Sequence, residues 1–238
     1  LDRKLKIFCD FDGTITYQDA WIDIGNYFIK DKEKHKKIIS DYESGKIGSR
    51  QCYSEECSLI EDFDPIIMDK IIDDQVLDPY FISFYNFCIK NEFEIIIASE
   101  GMEYYIGRIF KSHGLDLKYF ANELVVREDK ISLTFPNSDA ECSLCGCCKR
   151  NILLNNTSDD EISVYIGDGQ TDNCVVHYAD IVFAKKSLAS YCWKNNITYF
   201  DYNDFQDIRK KLEKTLDTKK IKPRQEARLK RREAFLSG

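Results

Sequence analysis

Short apolar runs recur along the 238-residue chain at intervals that leave room for helices between them. Leu5–Cys9, Glu94–Ala98, Ser163–Ile166, Ile181–Ala184 and Thr198–Phe200 are each three to five residues long and rich in Ile, Val, Phe and Tyr. Runs of that length and composition read as strands, and the helix-period segments between most of them read as crossovers. This alternation predicts an α/β fold with a parallel sheet covered on both faces and right-handed connections. The rhythm breaks between Trp21 and Lys90. That stretch shows helical stripes (Trp21, Ile24, Tyr27 and Phe28; then Ile66, Ile67, Lys70 and Ile71), with Gly45, Gly48, Pro65 and Pro79 as punctuation. It reads as a helical insertion between the first strand and the second. Glu123 to Phe135 carries two β-rich runs about Glu128-Asp129-Lys130 and predicts a small hairpin.

Composition agrees with a folded globular chain: 43% hydrophobic, 32% charged and four prolines exclude a low-complexity or disordered protein. No run of about 18 apolar residues exists to span a bilayer. The first apolar run ends in Cys9-Asp10, unlike a secretory leader, and ten cysteines without a leader point to reduced thiols and a cytoplasmic location. The net charge of −7 conceals an uneven distribution, because from Arg209 onward there are twelve Lys/Arg against four Asp/Glu. The acidic body repels nucleic acid, so a phosphorylated partner must be drawn in by local positive groups or a metal. The basic segment reads as a solvated or frayed helix, with contact to a nucleic acid or a protein partner as the rival reading.

Two acidic segments follow predicted strands. In Asp10-Phe11-Asp12-Gly13-Thr14 two carboxylates at spacing two can converge beyond a strand end, one as a nucleophile and the other as an acid or base. An Asp-x-Asp-Gly segment is equally a turn or a weak cation loop. Gly167-Asp168-Gly169-Gln170-Thr171-Asp172 is the second such segment. Strand-end loops of a parallel sheet meet in the crevice outside the strands' carboxyl ends, and carboxylates gathered there call for a hard cation such as Mg²⁺. Ser99 and Gly101, after the strand ending at Ala98, offer a hydroxyl and amides at a predicted helix start, which suits an anion or a plain N-cap. Lys149 opens a helical stretch through Leu154 and can balance a phosphate or a carboxylate.

Taken together, Asp10-x-Asp12-Gly13-Thr14, Ser99, Lys149 and Gly167-Asp168-x-x-x-Asp172 stand in the order of the four motifs of the haloacid dehalogenase superfamily of phosphatases, which the chain resembles over about 160 residues. The helical block after the first motif is similar to the lid of the phosphoserine-phosphatase-like branch. The resemblance implies a three-layer α/β/α Rossmann-like core (1–17 and 88–208), a helical cap inserted after the first strand (18–87) and a basic C-terminal helix or tail (209–238). It implies hydrolysis of a small phosphorylated metabolite, with Asp10 as nucleophile and Asp12 as acid and base. Mg²⁺ would be held by Asp10, Asp12 and Asp168. Ser99, Gly101 and Lys149 would hold phosphoryl oxygens, with Thr14 and Asp172 in support.

Several residues depart from that pattern or narrow it. The run Cys142-Ser143-Leu144-Cys145-Gly146-Cys147-Cys148 before Lys149 resembles the bacterial methionine-salvage phosphatases within the family. Read from the residues, it is either part of a zinc site or a packed, reduced loop. Asp19 matches an acidic position of the phosphoserine phosphatases, whereas the arginine of their lid has Arg50 as its nearby candidate here. Glu100 replaces the glycine that much of the family has after the motif serine. Asp19 and Glu100 together can face a cationic leaving group, as in phosphocholine and phosphoethanolamine phosphatases, or Glu100 turns to solvent. His35, His113 and His177 make no ligand spacing and read as surface or capping residues.

Overall fold

The computed structural model describes residues 4–127, 130–217 and 223–237. In chain order the strands are β1 (Leu5–Cys9), β2 (Glu94–Met102), β3 (Lys118–Arg127), β4 (Lys130–Thr134), β5 (Ile162–Gly167), β6 (Ile181–Ala184) and β7 (Phe200–Asp201). The first five helices are α1 (Ala20–Phe28), α2 (Lys32–Glu43), α3 (Ser49–Ser58), α4 (Pro65–Asp73) and α5 (Phe81–Lys90). After β2 come α6 (Glu103–Ser112), α7 (Lys149–Asn155), α8 (Lys186–Lys194), α9 (Phe205–Asp217) and α10 (Gln225–Ser237). The strands form one sheet in the order β4-β3-β2-β1-β5-β6-β7. β1 is parallel to β2 and β5, β5 to β6 and β6 to β7, while β3 and β4 pair antiparallel with Arg127 opposite Lys130. All five predicted strands and the hairpin are thus present, although β7 begins two residues and ends one residue later than expected. Glu128 and Asp129, the expected turn of the hairpin, lie outside the described residues.

Two compact units share the chain, one made of Leu1–Ile15, Leu77–Ala98 and Lys149–Gly238, the other of Thr16–Val76 and Ser99–Cys148. In the first, Ile7, Phe8, Ile96, Ile97, Val164, Tyr165 and Ile166 are fully buried. A central parallel strand is covered on both faces, which is why β1 and β5 read as unbroken apolar runs rather than alternating ones. Each such side chain contributes on the order of 1.5–3 kcal/mol of burial. The β1–β5 pairing continues past the strand, where the Asp10 amide donates to the Ile166 carbonyl at 2.9 Å.

This division differs from the expected one. α5 was expected in the lid but belongs to the first unit, because Phe81 and Phe84 pack against Phe205 of α9 with ring centroids 4.9 and 5.1 Å apart. Residues 99–148 were expected in the core but group with the helical block, where α3 packs on β4 and α6 on α4. The expected stripe of Ile66, Ile67, Lys70 and Ile71 is also displaced: α4 buries Met68 and Ile72, and Ile66 is exposed. Pro65 at its first position and the Asp64 cap on the Ile66 amide set where the helix starts, and the start sets the buried face.

The described part of the basic segment from Arg209 is helical and partly solvated, with Leu229, Phe235 and Leu236 of α10 exposed. α9 buries Ile208 and Leu212, and α10 is anchored by Arg231, whose guanidinium meets both Asp180 oxygens at 3.0 Å. Asp180 also accepts the amide and hydroxyl of Ser163 at 3.0 Å. Residues 218–222 and 238 of the expected tail lie outside the described residues. Among the described residues no helix is long and apolar enough to cross a membrane.

Candidate active site

β1, β5 and α7 bring the first unit's polar side chains to one place. β1 ends at Cys9 and delivers Asp10; β5 ends at Gly167 and delivers Asp168; Lys149 is the first residue of α7. The Asp10, Asp168 and Asp172 carboxylates come within 4.8 Å of one another and all three residues are buried. The Lys149 ammonium lies 2.6 Å from Asp10 Oδ1 and 2.6 Å from Asp172 Oδ1, and 3.0 Å from the Thr171 hydroxyl. Burial alone would lower the Lys149 ammonium, but the Asp10 and Asp172 carboxylates raise it well above lysine's ordinary value, so it stays charged. Burial and the Asp172 charge push the Asp10 carboxyl up, Lys149 opposes them, and Asp168 adds to the upward push.

Asp172 is saturated by this geometry. Its Oδ1 also accepts the Tyr165 hydroxyl at 2.6 Å, and its Oδ2 accepts the amides of Asp168 and Gly169 at 3.0 and 3.1 Å. Those partners fit it to orient Lys149 and the 168–172 loop. Asp168 is more open: Lys186 donates to its Oδ2 at 2.8 Å, and the Thr14 hydroxyl approaches its Oδ1 at 3.4 Å. Gly13 adopts φ +72°, and a β-carbon there would stand 2.5 Å from Asp168 Oδ2, so the turn that carries the half-buried Asp12 past Asp168 requires glycine. The donors gathered here are all oxygen, which fits a hard divalent cation. The buried Asp cluster can therefore hold such a metal.

Ser99, Gly101, Glu100 and Asp19 belong to the second unit. Ser99 and Gly101 were expected at a helix start; instead they lie inside β2, which runs on to Met102 beside β3 before α6 begins at Glu103. A strand neighbour kept the backbone extended where Ser99 and Gly101 suggested a helix start. The Ser99 hydroxyl oxygen accepts the Gly101 amide at 2.9 Å. Asp19 caps α1, accepting the Trp21 and Ile22 amides at 2.9 and 3.1 Å. Glu100 does not turn to solvent: it is buried and accepts the Gly146 and Cys147 amides at 3.0 and 3.2 Å.

In the run from Cys142 to Cys148, Gly146, Cys147 and Cys148 are buried, whereas Leu144 is exposed. None of the ten cysteines forms a disulfide, and among the described residues no cluster of potential ligands includes Cys142, Cys145, Cys147 or Cys148. His35 was expected on the surface, yet it is buried with Nε2 2.8 Å from Glu56 Oε1, because the α2–α3 packing encloses both. Lys186 and Tyr165 were not singled out from sequence. Lys186 had a signal, since it follows the end of β6 as the acidic loops follow β1 and β5, and its non-glycine φ of +49° places its ammonium on Asp168 and the Gly13 carbonyl.

No family model matches the chain. Among solved structures, a haloacid dehalogenase family hydrolase of Salmonella enterica serovar Typhi superposes with a TM-score of 0.68 at 18% identity, covering 85% of this chain and 69% of that one. A phosphoserine phosphatase holding an analogue of the phospho-aspartyl intermediate gives 0.66 at 21% identity, covering 87% and 98%. The chain has the haloacid dehalogenase fold. Among curated proteins, the 2-hydroxy-3-keto-5-methylthiopentenyl-1-phosphate phosphatase of Bacillus cereus is 28% identical over 220 residues, which is 91% of this chain and 99% of the relative. The chain therefore resembles a methionine-salvage phosphatase along nearly its whole length, in keeping with the resemblance of the run from Cys142 to Lys149.

Proposed function

We propose that the protein is a magnesium-dependent phosphomonoesterase of the cytoplasm that acts on a small phosphorylated metabolite through an aspartyl-phosphate on Asp10. The observation that carries this reading is the buried ammonium of Lys149 held 2.6 Å from Asp10 beside Asp168. A carboxylate attacks a phosphate dianion only where positive charge offsets their repulsion, and phosphoryl transfer asks for little beyond in-line placement and that charge. Asp10 and Asp168, with the main chain of Asp12, would hold Mg²⁺, which when bound supplies further positive charge for the phosphoryl oxygens. Asp10 attacks phosphorus; Asp12 protonates the departing oxygen and then takes a proton from the water that hydrolyses the acyl phosphate. Ser99, Gly101 and Lys149 bind the transferring oxygens, Asp172 orients Lys149, and Thr14 supports Asp168.

The substrate favoured by the relatives is 2-hydroxy-3-keto-5-methylthiopentenyl-1-phosphate. The second unit bears on two rivals. A phosphoserine carboxylate needs a free arginine, whereas the Arg50 guanidinium is engaged by the carbonyls of Asp139, Cys142 and Cys145. For an amine ester, Asp19 and Glu100 each commit one oxygen, Oδ1 and Oε2, to backbone amides. The test is hydrolysis of p-nitrophenyl phosphate and of these esters by the wild type and Asp10→Asn, with and without chelator. Loss of the covalent step should lower kcat by about three orders of magnitude or more, and added Mg²⁺ should restore chelated wild type. Turnover by Asp10→Asn at the wild-type rate would overturn the reading.

A further inference from the structure

The loop that leads into Lys149 is held from two sides by residues that the phosphatase reading leaves without a role. On one side is Arg50, in the first turn of α3. Its guanidinium donates to the Cys145 carbonyl at 3.0 and 3.1 Å, to the Cys142 carbonyl at 3.1 Å and to the Asp139 carbonyl at 3.4 Å. Its backbone amide and the Ser49 hydroxyl both donate to the Leu144 carbonyl, at 3.1 and 3.3 Å. The approach is closer than any side chain permits: a β-carbon on Gly48 would stand 2.2 Å from the Leu144 carbonyl oxygen. On the other side is Glu100, buried next to Ser99, with its carboxylate on the Gly146 and Cys147 amides. Asn122 fixes Glu100 in turn by donating to its carbonyl, and the Cys148 amide donates to the Asn137 carbonyl at 2.7 Å. The next residue along the chain is Lys149.

A loop without regular structure loses roughly 1–2 kcal/mol of backbone freedom per ordered residue, so one held to this degree has a reason to be fixed. Charge-assisted bonds from a guanidinium or to a carboxylate are among the stronger ones a protein makes. Here both kinds converge on the residues preceding Lys149. We propose that Arg50 and Glu100 are positioning residues that clamp residues 142–148 and so set, through the peptide bond from Cys148, where the Lys149 ammonium is presented. The proposal rests on the phosphatase reading and assigns the cysteine-rich loop to geometry rather than to metal binding. Glu100, which replaces a glycine of the resembled family, joins the residue after Ser99 to the segment before Lys149.

The experiment uses the full chain with Mg²⁺ and compares wild type, Arg50→Ala, Arg50→Lys and Glu100→Gln, each also combined with Lys149→Ala. Three quantities are read: amide hydrogen exchange over residues 142–149, kcat and KM on p-nitrophenyl phosphate, and orthovanadate affinity by calorimetry. Loop exchange should rise about 10-fold in Glu100→Gln and Arg50→Ala, and kcat should fall about 10- to 100-fold with KM within about 3-fold, as for an interaction felt in the transition state. Arg50→Lys, which keeps a donor, should recover part of the loss and guards against an Arg50→Ala chain that fails to fold. Orthovanadate affinity should fall about 10-fold in Arg50→Ala and Glu100→Gln, and the variants should add nothing once Lys149 is alanine. An equal loss with and without Lys149, or wild-type kcat and exchange in both Arg50→Ala and Glu100→Gln, would overturn the clamp. A wild type that hydrolyses no phosphate ester would instead overturn the phosphatase reading, and the proposal with it.

Discussion

In the first unit Asp10, Asp168 and Asp172 crowd within 4.8 Å and are balanced by the ammonium groups of Lys149 and Lys186. In the second unit Asp19, Glu56 and Glu100 lie apart, and each is met by neutral donors or an imidazole: the Trp21 and Ile22 amides, the Trp21 indole with His35, and the Gly146 and Cys147 amides. The two arrangements have different uses. Carboxylates that share cations remain mutually repulsive and therefore responsive to a ligand that changes the local charge, whereas carboxylates on backbone amides fix a chain segment in one conformation. Acidic residues adjacent in a motif list can thus serve chemistry in one unit and geometry in the other.

The sharpest way to break the comparison is Lys149→Met. It leaves two buried carboxylates without their shared cation, and unfolding in urea at pH 7 should show a loss of about 3–5 kcal/mol. A variant as stable as the wild type would mean that the cluster does not depend on Lys149 for charge balance. A smaller effect separates cap from site: Asp19→Ala should cost about 1 kcal/mol through loss of the α1 cap, while Asp19→Asn, which still accepts the amides, should stay within a few tenths. Neither should alter selectivity between amine and neutral esters; a loss confined to amine esters would return Asp19 to substrate binding. The smallest effect is a pH dependence at Glu161, on the edge of the first unit. Burial works against its ionisation, yet the Ser158 amide at 2.9 Å and Lys6 at 3.1 Å hold its carboxyl below the usual glutamate value. A depressed acid stabilises above its unfolded pKa and loses that contribution as pH falls through its folded one. Glu161→Gln should therefore cost about 0.5 kcal/mol at pH 7 and nothing measurable near pH 3, read by denaturant melts at both values.

Much of the first unit was legible because its information is local. A strand and the turn after it are written consecutively, so Leu5 to Thr14 and Ser163 to Asp172 announce both the element and the side chains at its end. What escaped depended on partners far along the chain. Arg50 reads as a substrate group until the carbonyls of residues 139–145 are seen around it, and Glu100 reads as a free acid until two amides forty-six and forty-seven residues later are found on it. The extended backbone at Ser99 follows from a neighbouring strand, which outweighed the helix start that Ser99 and Gly101 suggested. The basic charge of Arg231 suggested solvent, since sequence gives no sign of Asp180 waiting in the interior.

That last contact bears on the order in which a ribosome can complete the molecule. The second unit draws on Thr16–Val76 and Ser99–Cys148, so all of its residues have been made once Cys148 has emerged. The first unit includes Arg231, whose partner Asp180 is fully enclosed and also holds Ser163 of β5. Until Arg231 leaves the exit tunnel, the segment that begins β6 carries a carboxylate with no cation to meet it, and domains form as units when their parts become available. Every residue of the second unit is therefore made before Arg231, the residue that secures the strand delivering Asp168.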